Sequence, residues 1–167
     1  YAEVAARTDA SSRFGKDHRW GMFWSLGFMW NIKNEAFLKE IEWLTNAQIK
    51  LSTGTSGNSE IPYYDHLALV AGDANYNDEA GIYPKQSGNE ELSWEQTWAN
   101  NIGLTLGFFN RVNLNVDFYH KKTTNMLMLV PQSYAITGVG NRWDNIGAMM
   151  NRGVEIAMDG DVIRTKY

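Results

Sequence analysis

The sequence predicts an all-β chain of antiparallel up-and-down strands, and three observations carry that reading. Apolar residues recur with period 2 over most of the chain, whereas the 3.6-residue period of helices is nearly absent. Several alternating runs exceed ten residues, against about 5–6 for the usual strand of a water-soluble domain. In the run from Trp20 to Asn31 one register is all large and apolar, with tryptophan at both ends, while the other is mixed, with small and polar members. A tilted strand needs about 9–11 residues to cross a bilayer. Long strands with one apolar and one polar face are therefore expected of a transmembrane β-barrel wall.

The elements follow in order. Residues 1–8 alternate Tyr1, Glu3, Ala5 and Arg7 with Ala2, Val4, Ala6 and Thr8. Residues 20–32 place Trp20, Met22, Trp24, Leu26, Phe28 and Trp30 on one face. The two end tryptophans stand about 33 Å apart at about 3.3 Å per residue. Tilted by about 40°, that run spans about 25 Å, the height of a barrel's lipid band. In the following link, Phe37, Ile41 and Leu44 have helical spacing, which predicts one or two helical turns. Strand 44–55 comes next, then a Gly-, Asn-, Asp- and Tyr-rich stretch, 56–95, which reads as one long irregular loop. Strand 96–108 puts Ile102, Leu104 and Leu106 on the face opposite Asn101. A three-residue turn at Phe109–Arg111 leads to strand 112–130, whose polar register holds Asn113, Asn115 and Asp117. A polar loop then precedes strand 146–158, with Val154 and Ile156 opposing Glu155, and RTKY (Arg164–Tyr167) reads as the start of a seventh strand. Barrels carry short turns on the periplasmic side and longer loops outside. With the 109–111 turn periplasmic, strand parity puts 9–19, 56–95 and 131–145 outside.

Composition narrows the function classes. The 167 residues carry a net charge of −4, so nucleic acid binding has no electrostatic footprint. There is no cysteine, which excludes disulfides and thiol chemistry. No apolar run reaches the 18 residues of a membrane-crossing helix, and the first residues do not read as a signal peptide. No metal or catalytic constellation stands out. His18, His66 and His120 are widely separated and read as surface or loop residues. In DANYNDEAG (Asp73–Gly81) acceptors alternate as at the start of a calcium loop. Asp78 and Pro84 occupy the positions that need Gly and Glu, so no cofactor is expected beyond this partial calcium motif. Glu90, Glu91 and Glu95 lack the positioning of a glycosidase acid pair.

Five stretches carry a family resemblance: Arg7–Gly21, Asn34–Leu44, Ile49–Asn58, Asn89–Met128 and Asn145–Ile163. In order and over most of the chain they resemble the barrel region of the SusC/RagA-type TonB-linked outer-membrane transporters of Bacteroidetes. The resemblance implies a 22-stranded barrel, of which this chain supplies six or seven strands. The plug, the TonB box and the final strands would lie elsewhere in the parent, and the isolated piece would have two open, aggregation-prone edges. It further implies nutrient import, most often of oligosaccharides, with TonB as the energy source and a SusD-like surface lipoprotein as partner.

Within that reading the lipid-facing set is Trp20, Met22, Trp24, Leu26, Phe28, Trp30, Ile102, Leu104, Leu106, Val154 and Ile156. The lumen- or ligand-facing candidates are Asn101, Asn113, Asn115, Asp117 and Glu155, and the loop aromatics that could stack on sugars are Tyr63, Tyr64, Tyr76, Tyr83 and Trp143. No catalytic or metal-binding residue is assigned. The competing reading is a soluble or surface β-sandwich that binds glycans, in which strands 96–108 and 112–130 cover the Trp20–Trp30 face. Leu104→Arg separates the two: it costs about 2–4 kcal/mol in a lipid-facing wall and abolishes folding in a sandwich core.

Overall fold

The computed structural model describes residues 1–161, the side chain of Tyr76 excepted, so RTKY lies outside the described residues. Six long strands form one antiparallel sheet: β1 (Ala2–Ala10), β2 (Trp20–Asn31), β3 (Leu44–Asn58), β6 (Glu95–Phe108), β7 (Val112–Thr124) and β10 (Ala148–Gly160). Two small hairpins interrupt the series, β4 (Leu69–Tyr76) with β5 (Glu79–Gln86), and β8 (Leu127–Pro131) with β9 (Asn141–Asn145). The sheet order is β1-β2-β3-β6-β7-β10, each long strand pairing with the next long strand in the chain. β1 and β10 are the free edges, so the sheet does not close on itself among the described residues.

The link between β2 and β3 holds a 3₁₀ turn at Ile32–Asn34 and a single α-helical turn, α1, at Ala36–Lys39. The Lys33 ammonium donates to the carbonyls of Leu38, Lys39 and Ile41 at 2.7–3.1 Å, satisfying groups that so short a helix leaves open. The turn between β6 and β7 is closed by Arg111 N–H donating to the Phe108 carbonyl. Phe109 and Asn110 both have φ of 53°, the signature of a type I′ turn, whose twist matches that of the flanking strands.

The structure departs from the sequence reading in three places. Residues 56–95 are not one irregular loop: β3 runs on to Asn58, and 69–86 form the β4–β5 hairpin around Asn77 and Asp78, with φ of 54° and 62°. Strand 112–130 is not continuous either. It breaks after Thr124, and Asn125 turns the chain with φ of 53° into β8. β9 and a second short helix, α2 (Tyr134–Thr137), lie in the stretch read as polar loop.

Cross-strand partners share a face, so the register fixes both faces of the sheet. The row Leu26, Thr53, Asn100, His120, Arg152 runs across five strands. The row Ile49, Leu104, Val116, Ile156 runs parallel to it. All eleven residues expected on the apolar face lie on one side of the sheet. Leu104 and Leu106 are half-buried between neighbouring strands and the other nine are exposed, Trp20 at 72% and Ile156 at 70%. Nothing among the described residues covers this side. The sandwich reading is thereby corrected: β6 and β7 extend the Trp20–Trp30 face sideways instead of packing over it.

Buried side chains are few, and most sit at the end of the sheet that carries the long loops. Phe14, Ile61 and Leu92 form a cluster flanked by Trp94, Leu127 and Trp143.

Candidate functional site

The polar face of the sheet is built from the alternate register of the same strands. Asp117 lies between Gly103 and Glu155 in one row, and Asn115 pairs Thr105 and Ala157 in the next. The Thr105 hydroxyl donates to Asn115 Oδ1 at 2.9 Å, and Asn113 Nδ2 donates to Asp159 Oδ2 at 2.9 Å. All five residues singled out from sequence, Asn101, Asn113, Asn115, Asp117 and Glu155, therefore share this face. Three of them, Asn101, Asp117 and Glu155, line a groove of about 540 Å³ together with Tyr119, Lys121 and Asn151. Those last three were missed, although Tyr119 and Lys121 carry the odd parity of Asp117 and were legible from it. Glycine fits the wall where space is short: a Cβ at Gly103 would stand 2.6 Å from Asp117 Oδ1, and one at Gly153 2.7 Å from the Tyr119 hydroxyl. The groove is a binding surface of mixed charge.

Above this wall the loops form a folded cap. The Phe14 ring meets Trp94 edge-on at 5.5 Å, and Trp94 in turn meets the buried Phe23 of β2 at 5.4 Å. The Trp94 indole N–H donates to the Arg19 carbonyl. Polar side chains join the segments. Asn89 Nδ2 donates to the Trp143 carbonyl and to Asp144 Oδ1, both at 3.1 Å. Asn145 accepts from Ser93 N–H and donates to the carbonyls of Ser93 and Asn125. Segments 11–19, 59–68, 87–94, 125–127 and 141–145 are thus one packed unit.

This packing revises the loop-aromatic set. Trp143 is half-buried against the Phe14 cluster, so it is a packing residue before it is a stacking platform. Tyr63 is exposed, with the Arg13 guanidinium 4.7 Å from its ring centroid. Tyr64 is exposed at a left-handed φ of 70°, and Tyr83 is exposed on β5. Tyr76 is the last residue of β4. Asp65, Lys85, Tyr134, Arg142 and Trp143 border a second groove of about 350 Å³ on the cap, and Tyr63, Tyr64 and Tyr83 are not among its lining residues. Arg142 is held by Asp144 at 2.7 Å.

Two titrating groups on the cap are displaced. Burial pushes the Asp65 carboxyl up, against the opposing pull of the Trp143 N–H and of His66. The Tyr83 phenol is also raised, chiefly by its hydrogen bond to Asp73 and then by the charge of that carboxylate. The partial calcium motif has a different use: Asp73 and Asn75 lie on the extended strand β4, and Asn77 begins the hairpin turn. No cluster of three His, Asp or Glu side chains suited to a metal occurs among the described residues. His66 lies in the 59–68 loop segment and is buried there, and its Nδ1 has no hydrogen-bond partner among the described residues.

Comparison with known proteins gives a consistent answer. Residues 2–166 match the family described as TonB dependent receptor-like, beta-barrel. The chain is 36% identical over 164 residues to TonB-dependent receptor P39 of Formosa agariphila, covering 98% of this chain and 16% of that protein. It is 36% identical over 172 residues to TonB-dependent receptor SusC of Bacteroides thetaiotaomicron, covering 96% and 17%. Among solved structures it resembles the RagAB peptide importer in the closed-closed state, with a TM-score of 0.91 and 41% identity over 99% of this chain and 18% of that one. The chain therefore spans about a sixth of the length of the relatives it matches.

Proposed function

Because this chain belongs to the TonB-dependent receptor-like β-barrel family, we propose that it is a wall segment of a TonB-driven nutrient importer in the bacterial outer membrane. One observation carries the reading: a single sheet with one uncovered apolar face and one polar face. A water-soluble protein rarely leaves so large an apolar surface uncovered. In a barrel wall it meets lipid, and the polar face lines the lumen. The end with the Phe109–Arg111 turn is periplasmic and the capped end extracellular.

The polar groove around Asp117, Lys121 and Glu155 borders the solute path. The chain contributes no catalytic group. TonB acts through a region of the parent outside this chain, and a SusD-like surface lipoprotein docks on the cap. The proposed substrate is an oligosaccharide, in line with the resemblance to SusC-type transporters. Peptide import is the second reading, favoured by the 41% identity to the RagAB peptide importer. Uptake assays with each substrate class on the same strain separate the two.

The test uses the parent protein in its own cells. Replacing residues 69–86, the β4–β5 hairpin, with a short Gly-Ser link is expected to impair uptake and lipoprotein co-purification. The protein should still reach the outer membrane and keep the mobility shift on boiling that marks a closed barrel. Unchanged uptake and lipoprotein binding would remove the hairpin from the function. A soluble parent with no shift would remove the barrel reading itself.

A further inference from the structure

The two faces of the sheet differ in charge as well as polarity. By register, the polar face of the six long strands carries both signs, including Glu3, Arg7, Lys50, Asp117, Lys121 and Glu155. The apolar face carries no carboxylate in those strands. Its only ionisable side chains are His120, Lys122 and Arg152. In a chain of net charge −4, these are three basic groups and no acid.

They are also clustered. His120 and Arg152 are direct cross-strand partners, and Lys122 stands two residues along β7, between Trp98 and Met150. Opposite partners have Cβ atoms about 5 Å apart and diagonal neighbours about 7–8 Å, so one headgroup-sized anion reaches all three. The ion pairs among the described residues are Arg7–Asp9, His18–Glu91 and Arg142–Asp144, and none uses these cations. Lys122 and Arg152 are exposed. Asn100 lies in the row of His120 and Arg152, and its Oδ1 accepts from the Thr53 hydroxyl at 2.8 Å, leaving its amide N–H groups as further donors. Trp98, whose indole N–H donates to Thr53 at 3.0 Å, completes the border.

Position identifies the partner. On one side the cluster abuts Phe118 and Val154, the edge of the apolar span, and on the other the strands end at Thr124 and Ala148, where the loops begin. A side chain here sits at the boundary between hydrocarbon and headgroups on the capped side of the membrane. We infer that His120, Lys122 and Arg152 form a docking site for the phosphate-bearing headgroup of a lipid in the leaflet at the capped end. Arginine suits a phosphate through its planar paired donors, and lysine adds a point charge. The acid-free apolar face below receives the acyl chains. A soluble acidic peptide would leave that apolar border without a partner.

The inference rests on the barrel reading, and the experiment keeps the two apart. The full-length parent is purified in detergent and its lipid adducts are counted by native mass spectrometry. The probes are lipid A, the same lipid after phosphatase treatment, and inorganic phosphate as competitor. Lipid A is expected to be retained over its dephosphorylated form. Lys122→Gln with Arg152→Gln is expected to lower its retention roughly thirtyfold, and Lys122→Gln alone gives a smaller drop if the double variant assembles poorly. Lys121→Gln, on the polar face of the same strand, leaves retention unchanged. Equal retention by parent and variants, no preference for the phosphorylated lipid, or displacement by inorganic phosphate overturns the site. If the parent itself lacks the boiling-dependent shift, it is the barrel reading that has failed.

Discussion

Arginine in place of Ile156 is expected to destabilise the assembled barrel by about 2–4 kcal/mol. Ile156 is 70% exposed in this chain and sits in the row of Leu104 and Val116, in the middle of the apolar span. On a surface bathed in water, such a substitution changes stability by no more than about 0.5 kcal/mol. The size of the loss therefore reports which solvent the face meets. Denaturant titration of the parent in lipid, read by the fraction that keeps its unboiled mobility, measures it. Val154→Arg, two residues nearer the natural Arg152, is expected to cost less, because the penalty falls toward the interface. Equal and negligible effects at both positions would place this face in water.

Phe14→Ala is expected to cost about 3–5 kcal/mol, and to spend it on the cap alone. Phe14 is fully buried, and its neighbours Ile61, Leu92 and Trp94 come from two other loop segments. Each 1.4 kcal/mol is about tenfold in the opening equilibrium. Amide exchange in 59–68, 87–94 and 141–145 should therefore accelerate by roughly two orders of magnitude or more. The paired amides of β6 and β7 and the boiling-dependent shift should be unaffected. Unchanged exchange in the loops would mean that the polar links through Asn89 and Asn145 hold the cap without the aromatic cluster.

The long strands were legible because each half-apolar strand writes its two faces into alternate residues. The Trp20–Trp30 run and the Ile102–Phe108 run show this without help from tertiary context. Asn100 is a polar residue on the apolar register. It falls in the row of Thr53, His120 and Arg152, where the face has turned polar. The apolar span slides along the strands from β2 to β10, as the stagger of a tilted barrel requires, and a single strand read alone does not reveal the slide. The β4–β5 hairpin was hidden for a different reason. Its strands have no clean apolar face, since the hairpin rises from the wall instead of forming part of it. The Asn77-Asp78 pair, both residues tolerant of positive φ, was the available signal. The cap was least legible. Phe14, Ile61 and Leu92 are single apolar residues in polar stretches, and only the folded chain shows that they meet. The same holds for Trp143, whose ring is committed to that packing.

The way the loops join the wall has an evolutionary consequence. Asn58 and Glu95 face each other across β3 and β6, and Thr124 and Ala148 across β7 and β10. Each of the two large excursions therefore departs and returns through adjacent backbone positions. Its length and content can change without altering how the strands beneath are aligned. Natural variation can rewrite the surface while inheriting the wall intact, and on the proposed function a loop exchanged between relatives at these two pairs is expected to carry its specificity with it.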